Sequence, residues 1–576
     1  MCGYVFFSDS QNEITKKNLD SILDLQKHRG PDYSNYQRHK KYFFLHNRLK
    51  IIDLSSNGNQ PFEDDKGNII IFNGEIYNFL ELKKKYSFKN FKSKSDTEVI
   101  LKLYDLKGPK FLELLNGIFS FVIFNKRKNK VLVARDRFGV KPLFFYKKKN
   151  FLIYSTEIKP ILRIIKKFEI NFDELTKYIG EGKYFDTSKT FFKNIEMFPP
   201  ASFEEFSLNN INKTRIKKYW KLRKNKKLRC KNENDFFKNF IKYTSNAIKL
   251  NLVSDAKYSL LLSSGMDSNF IKSIIEDALS KKITSFTYGW KDKYYDEILR
   301  LKKLRSSNYS NIKKFIKDPQ KIFYQLKKLV YLYEGPLGGF GTAAQYYLMK
   351  KIKKNKIKVA ISGEGTDEFL LGYKNLQKIF FEKDKSYLTD KIFTPDGKEM
   401  GDKKLILKNF KFNDKNIKYK NINEVVMNYT FRIKLPKLLY FYDKSSALNG
   451  IEGRVPMLDH KYVEFIFSNS DKFKIDLNGS KKPIRKWFEL KNRKIYKKKL
   501  EVSTPQREFF KQKKIYNYII KLLQNGELIK NKILNFKEFK FQYLSYIKEE
   551  KVSNSFFIWK VINAEFFLLN YRNKII

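Results

Sequence analysis

The sequence predicts two structural classes in succession: an α+β part built on antiparallel strands, then an α/β part with a parallel sheet and a mostly helical carboxy-terminal region. Short apolar or alternating runs, separated by turn-rich or charged links, fill roughly the first 200 residues. After Phe236 such runs alternate with helical patterns, which is typical of a doubly wound sheet. Because 576 residues exceed the size of one hydrophobic core, at least two domains are expected.

The first part is assigned strands from its apolar runs and a helix from a longer segment. The link NKRKN at 125–129 separates two of these runs, as a turn between neighbouring strands would. A helix is predicted over 96–106, and strands are predicted over 69–72, 119–124, 131–134 and 151–154. The result is a strand-rich antiparallel layer with helices.

The second part follows a different pattern. A helix ending near Leu250 precedes the first strand, and beyond Gly372 the chain is mostly helical. Strands are predicted over 258–262, 283–288 and 359–361, with helices over 268–279 and 343–351. Two prolines at 199–200 and a lysine-rich stretch at 213–231 mark a linker. The predicted division is a first domain at 1–210, a linker at 211–235 and a second domain at 236–576.

The composition limits the classes of function. The formal charge is +57, from 118 Lys and Arg against 61 Asp and Glu, which raises the question of nucleic-acid binding. The lysines are dispersed through every segment and form no single basic stripe, so a specific nucleic-acid partner is not expected. Hydrophobic residues make up 42% of the chain and aromatic residues 16%, which is enough to fill substantial cores.

Cysteine and histidine usage argues against disulfide and zinc chemistry. Cys2 and Cys230 are the two cysteines, and the four histidines show no HExxH spacing. No apolar run reaches membrane-spanning length, and the amino terminus lacks the pattern of a signal peptide. We therefore expect a cytoplasmic protein with no membrane partner.

Cys2 is a candidate nucleophile because removal of Met1 would give it a free α-amine. That amine titrates near ~8 and can accept the thiol proton without help from a histidine. A free cysteine at the start of an apolar run is also a common buried core residue. The position of Cys2 alone is weak support for a nucleophile, and the other motifs of the chain have to distinguish a catalytic cysteine from a core residue.

A small-residue turn follows the predicted strand at 258–262. The segment reads SSGMDS at 263–268, where backbone N–H groups, hydroxyls and a helix start favour an anion. It is not a Walker loop, because no GK[ST] follows. The order SxGxDS resembles the pyrophosphate loop of ATP pyrophosphatases, which implies that Asp267 holds Mg²⁺ and that pyrophosphate contacts Ser263, Gly265 and Ser268. An ordinary helix cap would use the same residue types.

A second loop strengthens that interpretation. The strand at 359–361 ends in SGEGTDE at 362–368, followed by Gly372 and Tyr373. This places small residues and three acids at the carboxyl end of a strand, where open α/β sheets bind ligands. Carboxylates repel phosphate unless a cation lies between them, so the loop indicates Mg²⁺.

The two loops resemble the synthetase half of glutamine-hydrolysing asparagine synthetases. The segment DKSSALNGIEGRVPMLDH at 443–460 and KKPIR, which contains Lys481, are similar to that family as well. The resemblance implies an ATP-pyrophosphatase fold, also described as adenine nucleotide α-hydrolase-like, with a parallel α/β sheet. It implies catalytic roles for Glu364 as acid or base and for Lys481 in stabilising phosphate charge. It also implies a metal site at Asp267 and Asp367, and further ATP contacts at Leu262, Tyr288, Ser362 and Gly363.

The first 200 residues resemble the glutaminase domain of the same family. The matching motifs are RGPD at 29–32, HNRL at 46–49, NGEIYN at 73–78, SDTE at 95–98, LNG at 115–117 and ARDRFG at 134–139. The implied fold is the four-layer αββα sandwich of N-terminal nucleophile enzymes. Cys2 would then attack the glutamine side-chain amide, with an oxyanion hole formed by Asn73 and Gly74. Glutamine itself would be bound by Arg48, Glu75 and Asp96.

Together the two halves imply an enzyme that uses ATP and Mg²⁺ to convert aspartate and glutamine into asparagine and glutamate, with ammonia passing between the sites. His46 remains an alternative base, although a packed role fits it better. The sequence departs from the family at Ser264, at 333–339 (YEGPLGG) and at 449–450, and these departures bear most on the acceptor. The alternatives left open are a paralogue that amidates another carboxylate such as a sugar uronic acid, a nucleic-acid-binding protein and a degenerate homologue. A homodimer is also left open.

Overall fold

The computed structural model describes residues 1–9, 13–185, 187–212, 214–304, 312–373, 376–377, 380–381, 403–407, 422–496, 504–549 and 554–572. Within these ranges an antiparallel, strand-rich first half is followed by a second half with a parallel sheet and many helices. This is the order of classes predicted from the sequence. No helix in these ranges is long and apolar enough to span a membrane.

The first half contains two six-stranded antiparallel sheets. Sheet one has the order β10-β8-β9-β1-β3-β2, and sheet two has the order β12-β11-β7-β6-β5-β4. The strands are β1 Gly3–Ser8, β2 Tyr33–His39, β3 Tyr42–Arg48, β4 Phe62–Glu63, β5 Ile69–Ile76, β6 Gly117–Asn125, β7 Lys130–Arg135, β8 Phe144–Lys148, β9 Phe151–Ser155, β10 Ile195–Met197, β11 Ser202–Ser207 and β12 Lys217–Lys218. The first strand, β1, lies between β9 and β3, so the residue before it emerges at the end of a central strand.

The two sheets pack face to face, and helices cover their outer faces. Alternate residues of β1, such as Tyr4 and Phe6, meet Ile71 and Val133 of sheet two in one buried core. The helices of this half are Lys16–Gln26, Phe79–Lys85, Asp96–Lys107, Ile158–Ile165 and Phe172–Glu181. Helices 16–26 and 158–165 pack on sheet one, and helices 79–85 and 96–107 pack on sheet two. The predicted four-layer αββα sandwich is confirmed.

The second half is organised around a five-stranded parallel sheet. Its order is β15-β14-β13-β16-β17, formed by β13 Tyr258–Leu261, β14 Thr284–Trp290, β15 Ile312–Lys317, β16 Val359–Ile361 and β17 Glu452–Arg454. A two-stranded ribbon of β18 Ile475–Asp476 and β19 Gly479–Ser480 lies outside it. The predicted parallel α/β sheet is confirmed.

Helices make up most of the rest of this half. The α-helices are Glu233–Asn251, Met266–Ser273, Glu297–Lys303, Pro319–Tyr324, Leu326–Tyr333, Phe340–Lys354, Thr366–Phe369, Ile422–Asn428, Leu435–Ala447, His460–Ser468, Lys482–Leu490, Gln506–Phe510, Lys513–Gln524, Glu527–Lys530, Phe536–Ile547 and Phe556–Tyr571. Two π-helical turns continue helices, at Ile274–Ala278 and Tyr429–Lys434. The helix predicted at 268–279 is therefore an α-helix that ends in one of these turns.

The predicted linker contributes to the first half. Lys217–Lys218 pair with Ser202 and Phe203 as the edge strand of sheet two. The first α-helix of the second half then begins at Glu233, capped by the Asn232 side chain. The boundaries of the linker at 211 and 235 remain a prediction.

The two halves are joined by buried charges as well as by apolar contacts. The Arg29 guanidinium donates to Glu157 Oε1 at 3.1 Å in its own half and to Asp443 Oδ2 at 3.0 Å in the other. Lys444 lies 3.0 Å from the same Glu157 oxygen and 2.6 Å from Glu334 Oε2. All five side chains are almost completely inaccessible to solvent, so these pairs fix the halves against each other.

Candidate active sites

Cys2 lines a cavity of the first half, to which Glu452 of the second half also contributes. Cys2 immediately precedes β1, is 9% exposed, and its Sγ lies 4.0 Å from the Leu49 carbonyl. Met1 is 1% exposed and lies in the same cavity. The other lining residues are Arg48, Leu49, Ile51, Ile52, Gly58, Gln60, Phe72, Gly74, Glu75, Ser95, Asp96, Thr97 and Glu452. The cavity therefore unites Cys2 with four of the predicted glutaminase residues.

Burial disfavours the charged forms of the Cys2 thiol and of the Met1 amine. It raises the pKa of the Cys2 thiol and lowers the pKa of the Met1 amine to about 5. A neutral amine can accept a proton, whereas a protonated one cannot. With Met1 in place, however, the nitrogen of Cys2 belongs to a peptide bond.

Asn73 and Gly74 lie on β5, next to the cavity. The Asn73 side chain is fully buried, and neither its Oδ1 nor its Nδ2 has a hydrogen-bond partner within the described residues. A buried amide without a partner is rare and is expected where a ligand supplies the missing bonds. Gly74 has φ +147°, and a Cβ there would lie 2.0 Å from the Ile118 carbonyl oxygen. Only glycine fits this position, and its backbone lines the cavity.

Arg48 lines the cavity while holding a loop. Its guanidinium donates to the carbonyls of Ser55, at 2.6 Å, and Asp53, and to Asn59 Oδ1, at 2.8 Å. A Cβ at Gly58 would come within 2.2 Å of the same guanidinium, so the loop has to close tightly over it. The contact of Arg48 with the substrate carboxylate stays a prediction.

The two predicted carboxylates also reach the cavity. Burial raises the pKa of Asp96 to about 6, although its carboxylate accepts hydrogen bonds from the Ile76 N–H at 2.8 Å and the Ser95 hydroxyl at 3.2 Å. Burial, followed by the charges of Glu452 and Asp96, raises the pKa of Glu75. A cavity that destabilises carboxylate charge in this way is suited to a cationic ligand.

His46 is a packed residue. It is fully buried, its Nε2 lies 3.1 Å from the Phe72 carbonyl, and burial lowers its pKa to about 3. A group that stays neutral down to such a pH is a weak base. The interpretation of His46 as a hydrogen-bonding residue fits this geometry better than the alternative.

The second candidate site lies at the carboxyl edge of the parallel sheet, where the loop after β13 forms a compact turn. The Ser263 N–H donates to Ser268 Oγ at 3.0 Å, and the Gly265 N–H donates to Ser263 Oγ at 3.1 Å. Leu262 is buried and continues the pairing with β14, whereas Tyr288, on β14, is partly buried. This turn leads directly into the helix Met266–Ser273, which carries Asp267.

The loop after β16 lies against the first loop. A Cβ at Gly363 would be 3.2 Å from Asp267 Cβ, so the two loops are in direct contact. The Ser362 N–H donates to the Arg454 carbonyl at 3.0 Å, and Ser362 Oγ accepts from the Glu364 N–H at 3.3 Å. Glu364 is partly buried at this edge, and its charge contributes to a raised pKa of Tyr442, whose chief cause is burial.

Lys481 joins the two loops. Its Nζ lies 2.6 Å from Asp267 Oδ1 and 2.5 Å from Asp367 Oδ1. Burial alone would lower the pKa of Lys481, but the two carboxylates outweigh burial and raise it. Three charged residues that are far apart in the sequence therefore meet at one point.

Two acidic residues at these sites were missed at the sequence level. Glu297 Oε2 accepts hydrogen bonds from the backbone N–H of Ser264, at 2.7 Å, and from the Ser264 hydroxyl, at 2.5 Å. Glu297 therefore binds the serine that stands where the family usually has glycine. Ser264 is not among the residues with positive φ, so a side chain is tolerated there. Glu452 belongs to the second half but lines the Cys2 cavity. The acidic pair at 296–297, at the start of a helix, was a usable signal for Glu297. Glu452 lies in the stretch at 443–460 that resembles the family, but nothing in that stretch indicates that its side chain reaches Cys2.

The unusual segment at 333–339 lies against the buried charges that join the halves. Glu334 has φ +59° and accepts from the Lys159 N–H at 2.7 Å and from Lys444 at 2.6 Å. Tyr333 shares a hydrogen bond of 2.7 Å with Ser445. These bonds give the segment a fixed shape.

Comparisons with known proteins agree with this geometry. Residues 1–220 match the glutamine amidotransferase domain model, and residues 242–561 match the asparagine synthase model, which is more than half of the chain. The chain belongs to the asparagine synthase family. Glutamine-hydrolyzing asparagine synthetase 2 of Bacillus subtilis is 30% identical over 84% of this chain and 69% of that protein.

Two further members of the family match this chain over most of its length and over most of their own length. Glutamine-hydrolyzing asparagine synthetase 1 of Bacillus subtilis is 26% identical over 98% of this chain and 95% of that protein. Asparagine synthetase B of Escherichia coli is 25% identical over 83% of this chain and 76% of that protein. The likeness to the family therefore extends over both halves and both candidate sites.

Proposed function

We propose that this chain is a glutamine-dependent asparagine synthetase, which transfers the amide nitrogen of glutamine to the β-carboxylate of aspartate and cleaves ATP to AMP and pyrophosphate. The observation that carries the proposal is that strand β17 reaches both sites. Glu452 at its start lines the Cys2 cavity, and the carbonyl of Arg454 at its end binds the Ser362 N–H of the second site. One strand therefore runs from the lining of the first site to the loop of the second, which fits an enzyme in which ammonia passes between the two sites.

The glutaminase reaction requires the removal of Met1, which occupies the cavity. The new α-amine of Cys2 then takes the thiol proton, and the sulfur attacks the glutamine side-chain carbonyl. The Asn73 amide and the Gly74 N–H stabilise the oxyanion, and the amine returns its proton to the leaving nitrogen as ammonia departs. Water releases glutamate from the thioester. Arg48, Glu75 and Asp96 bind the α-carboxylate and α-ammonium of glutamine.

The synthetase reaction takes place at the two loops. The aspartate carboxylate attacks the α-phosphorus of ATP, pyrophosphate leaves, and ammonia then displaces AMP from the adenylate. The loop at 262–268 and the Ser362–Gly363 turn hold the nucleotide, and Lys481 stabilises charge that develops on the phosphates. Glu364 takes a proton from the attacking nitrogen.

The residues at the second site fit Mg²⁺ as the partner of ATP. Asp267 and Asp367 point their carboxylates at one cation, Lys481 Nζ, and hard oxygen ligands are those that Mg²⁺ prefers. Within the described ranges, no group of three or more His, Cys, Asp or Glu side chains forms a metal site. Asp267 and Asp367 would therefore hold the ion together with the phosphates, and the ion would supply charge neutralisation.

Aspartate is the acceptor best supported, because each relative described above is named an asparagine synthetase. The sugar uronic acid alternative has no comparable support. A cytoplasmic location, a homodimer and domain limits at 210 and 236 belong to the same proposal.

Acceptor-dependent release of pyrophosphate tests the function. With ATP and Mg²⁺ present, aspartate should elicit pyrophosphate and asparagine with either glutamine or ammonia as the nitrogen source. Turnover with another carboxylate but not with aspartate would refute the acceptor. Cys2→Ala should abolish glutamine-driven synthesis and retain ammonia-driven synthesis, and equal loss of both would refute the separation of the two sites.

A further inference from the structure

Glu452 is a buried acid of the second half that lines the glutamine cavity of the first. It begins strand β17, pairs with Val359 of β16, and is 1% exposed. Its backbone N–H donates to the Lys358 carbonyl at 2.7 Å, which ties it to the parallel sheet. Its side chain shares the cavity with Cys2 and Met1. The second half thus contributes a charged residue to the lining of this cavity.

The position of the Glu452 carboxylate is fixed by charge. Arg454 Nε donates to Glu452 Oε1 at 2.6 Å, and Arg454 Nη2 lies 3.9 Å from Glu75 Oε1. Arg454 is itself held by the carbonyls of Asn251, at 2.8 Å, and Val253, at 2.6 Å. The titratable and charged groups whose fields reach Glu452 are Arg454, Lys141, Glu75, Asp96, Tyr77, Tyr442, Cys2 and the amino terminus.

We propose that Glu452 is a positioning residue of the glutaminase reaction, which faces the amino terminus of the mature chain and stabilises the ammonium formed when Cys2 loses its thiol proton. The inference rests on the proposed glutaminase function. In the step concerned, the S–H bond of Cys2 breaks and an N–H bond forms on its α-amine. The same proton later passes to the departing nitrogen, so that ammonia leaves and the amine is neutral again. Glu452 itself exchanges no proton.

The electrostatics of the amino terminus agree with this role. With Met1 in place, burial lowers the pKa of the Met1 amine, and the Glu452 carboxylate is the largest influence that opposes it, whereas Lys141 and Arg29 lower that pKa further. The α-amine that the mature chain would carry is the nitrogen of the next residue, Cys2, which lines the same cavity as Glu452. Without an anion beside it, an amine in such a cavity is a weaker base toward the thiol proton. Since Glu452 comes from the second half, the glutamine site is electrostatically complete only when the halves are packed together.

Glu452→Gln tests the proposal through the pH dependence of glutaminase kcat. In the proposed enzyme–substrate complex Asp96 is bound to the substrate ammonium and does not titrate separately. The acid limb of the kcat profile therefore reports the protonation of the Cys2 α-amine. Loss of the anion should move that limb about one pH unit lower and reduce plateau kcat about tenfold. Glu452→Asp, which keeps the charge, should restore most of kcat. Ammonia-driven synthesis by each variant reports whether the second half is folded.

Lys141→Met is the matched variant, because it removes a positive charge near the amine whereas Glu452→Gln removes a negative one. Removal of this cation should move the acid limb to higher pH, and it keeps the proposal testable if Glu452→Gln does not fold. A limb that stays in place in both variants overturns the proposal. So does a Glu452→Gln variant in which only KM rises, because Glu452 would then bind glutamine. Wild-type protein without any glutaminase activity would instead refute the proposed function.

Discussion

Replacement of Lys481 by Gln tests the charge balance at the nucleotide site. The Lys481 ammonium is shared by Asp267 Oδ1, at 2.6 Å, and Asp367 Oδ1, at 2.5 Å. The amide of glutamine keeps much of the side-chain volume but removes the positive charge. Two carboxylates then face each other across the space that the ammonium occupied.

The magnitude follows from the burial of the three groups. Removal of one partner from a buried ion pair costs about 3–5 kcal/mol. The two aspartate side chains are 23% and 20% exposed, so water screens part of their repulsion. We therefore expect a loss of about 2 kcal/mol in the free energy of unfolding. Ammonia-driven pyrophosphate release should fall by about 10²–10³, the usual effect of removing one group that stabilises charge in the transition state.

Thermal unfolding with and without Mg²⁺ is the decisive assay. In the Lys481→Gln variant the two carboxylates are left to bind a divalent cation, so Mg²⁺ should raise the unfolding temperature of the variant more than that of the wild type. Lys482→Gln is the matched control, because the neighbouring Lys482 pairs with Glu233 instead. An equal response to Mg²⁺ in all three proteins would show that Asp267 and Asp367 do not form a cation site.

Three further predictions concern single side chains. Asn73→Ala should lower glutaminase kcat by about 10²–10³ through loss of an oxyanion donor, whereas an effect on KM alone would contradict that role. Asp96 has a folded pKa of about 6, above its unfolded value, so its carboxyl stabilises the fold less as pH rises from about 4 to 6. Asp96→Asn should therefore raise stability at pH 7 by about 2–3 kcal/mol in denaturant titrations, and should raise KM for glutamine; an unchanged midpoint would contradict the assigned pKa. Glu297→Ala releases the Ser264 turn and should raise KM for ATP while leaving glutaminase activity unchanged, and the opposite pattern would exclude a role in the nucleotide loop.

The sequence predicted those parts of the site in which a local motif follows a strand whose place in the sheet is given by the fold class. The loops at 262–268 and 362–368 follow buried strands of one parallel sheet, so their meeting at one edge follows from the fold class. Asn73 and Gly74 of β5 were identified by resemblance, and the geometry at Gly74 then explained why glycine is required. The position of Lys481 could not be derived from periodicity, because more than a hundred residues separate it from Asp367.

The parts that were missed depend on contacts between the halves. Glu452 and Arg454 lie in a stretch already matched to the family, yet nothing in that stretch shows that their side chains reach Glu75 and Cys2. The guanidinium of Arg48 is likewise engaged by a loop whose closure is a tertiary event. Local sequence predicts secondary structure and the loops at strand ends, whereas the charges that cross an interface depend on how the halves dock.

The buried charges around Arg29 make each half depend on side chains of the other half. Arg29 holds the Cys2 carbonyl, at 3.0 Å, with the same guanidinium that binds Asp443. A chain that exchanged the second half for that of a distant relative would have to keep an acid at 443 and a cation at 444. Otherwise Arg29 and Glu157 would each lose one of their counter-charges and keep only those of the first half. The first half, which releases the ammonia, therefore cannot be combined with an arbitrary second half. Residues 443 and 444 of the second half have to match Arg29 and Glu157 of the first.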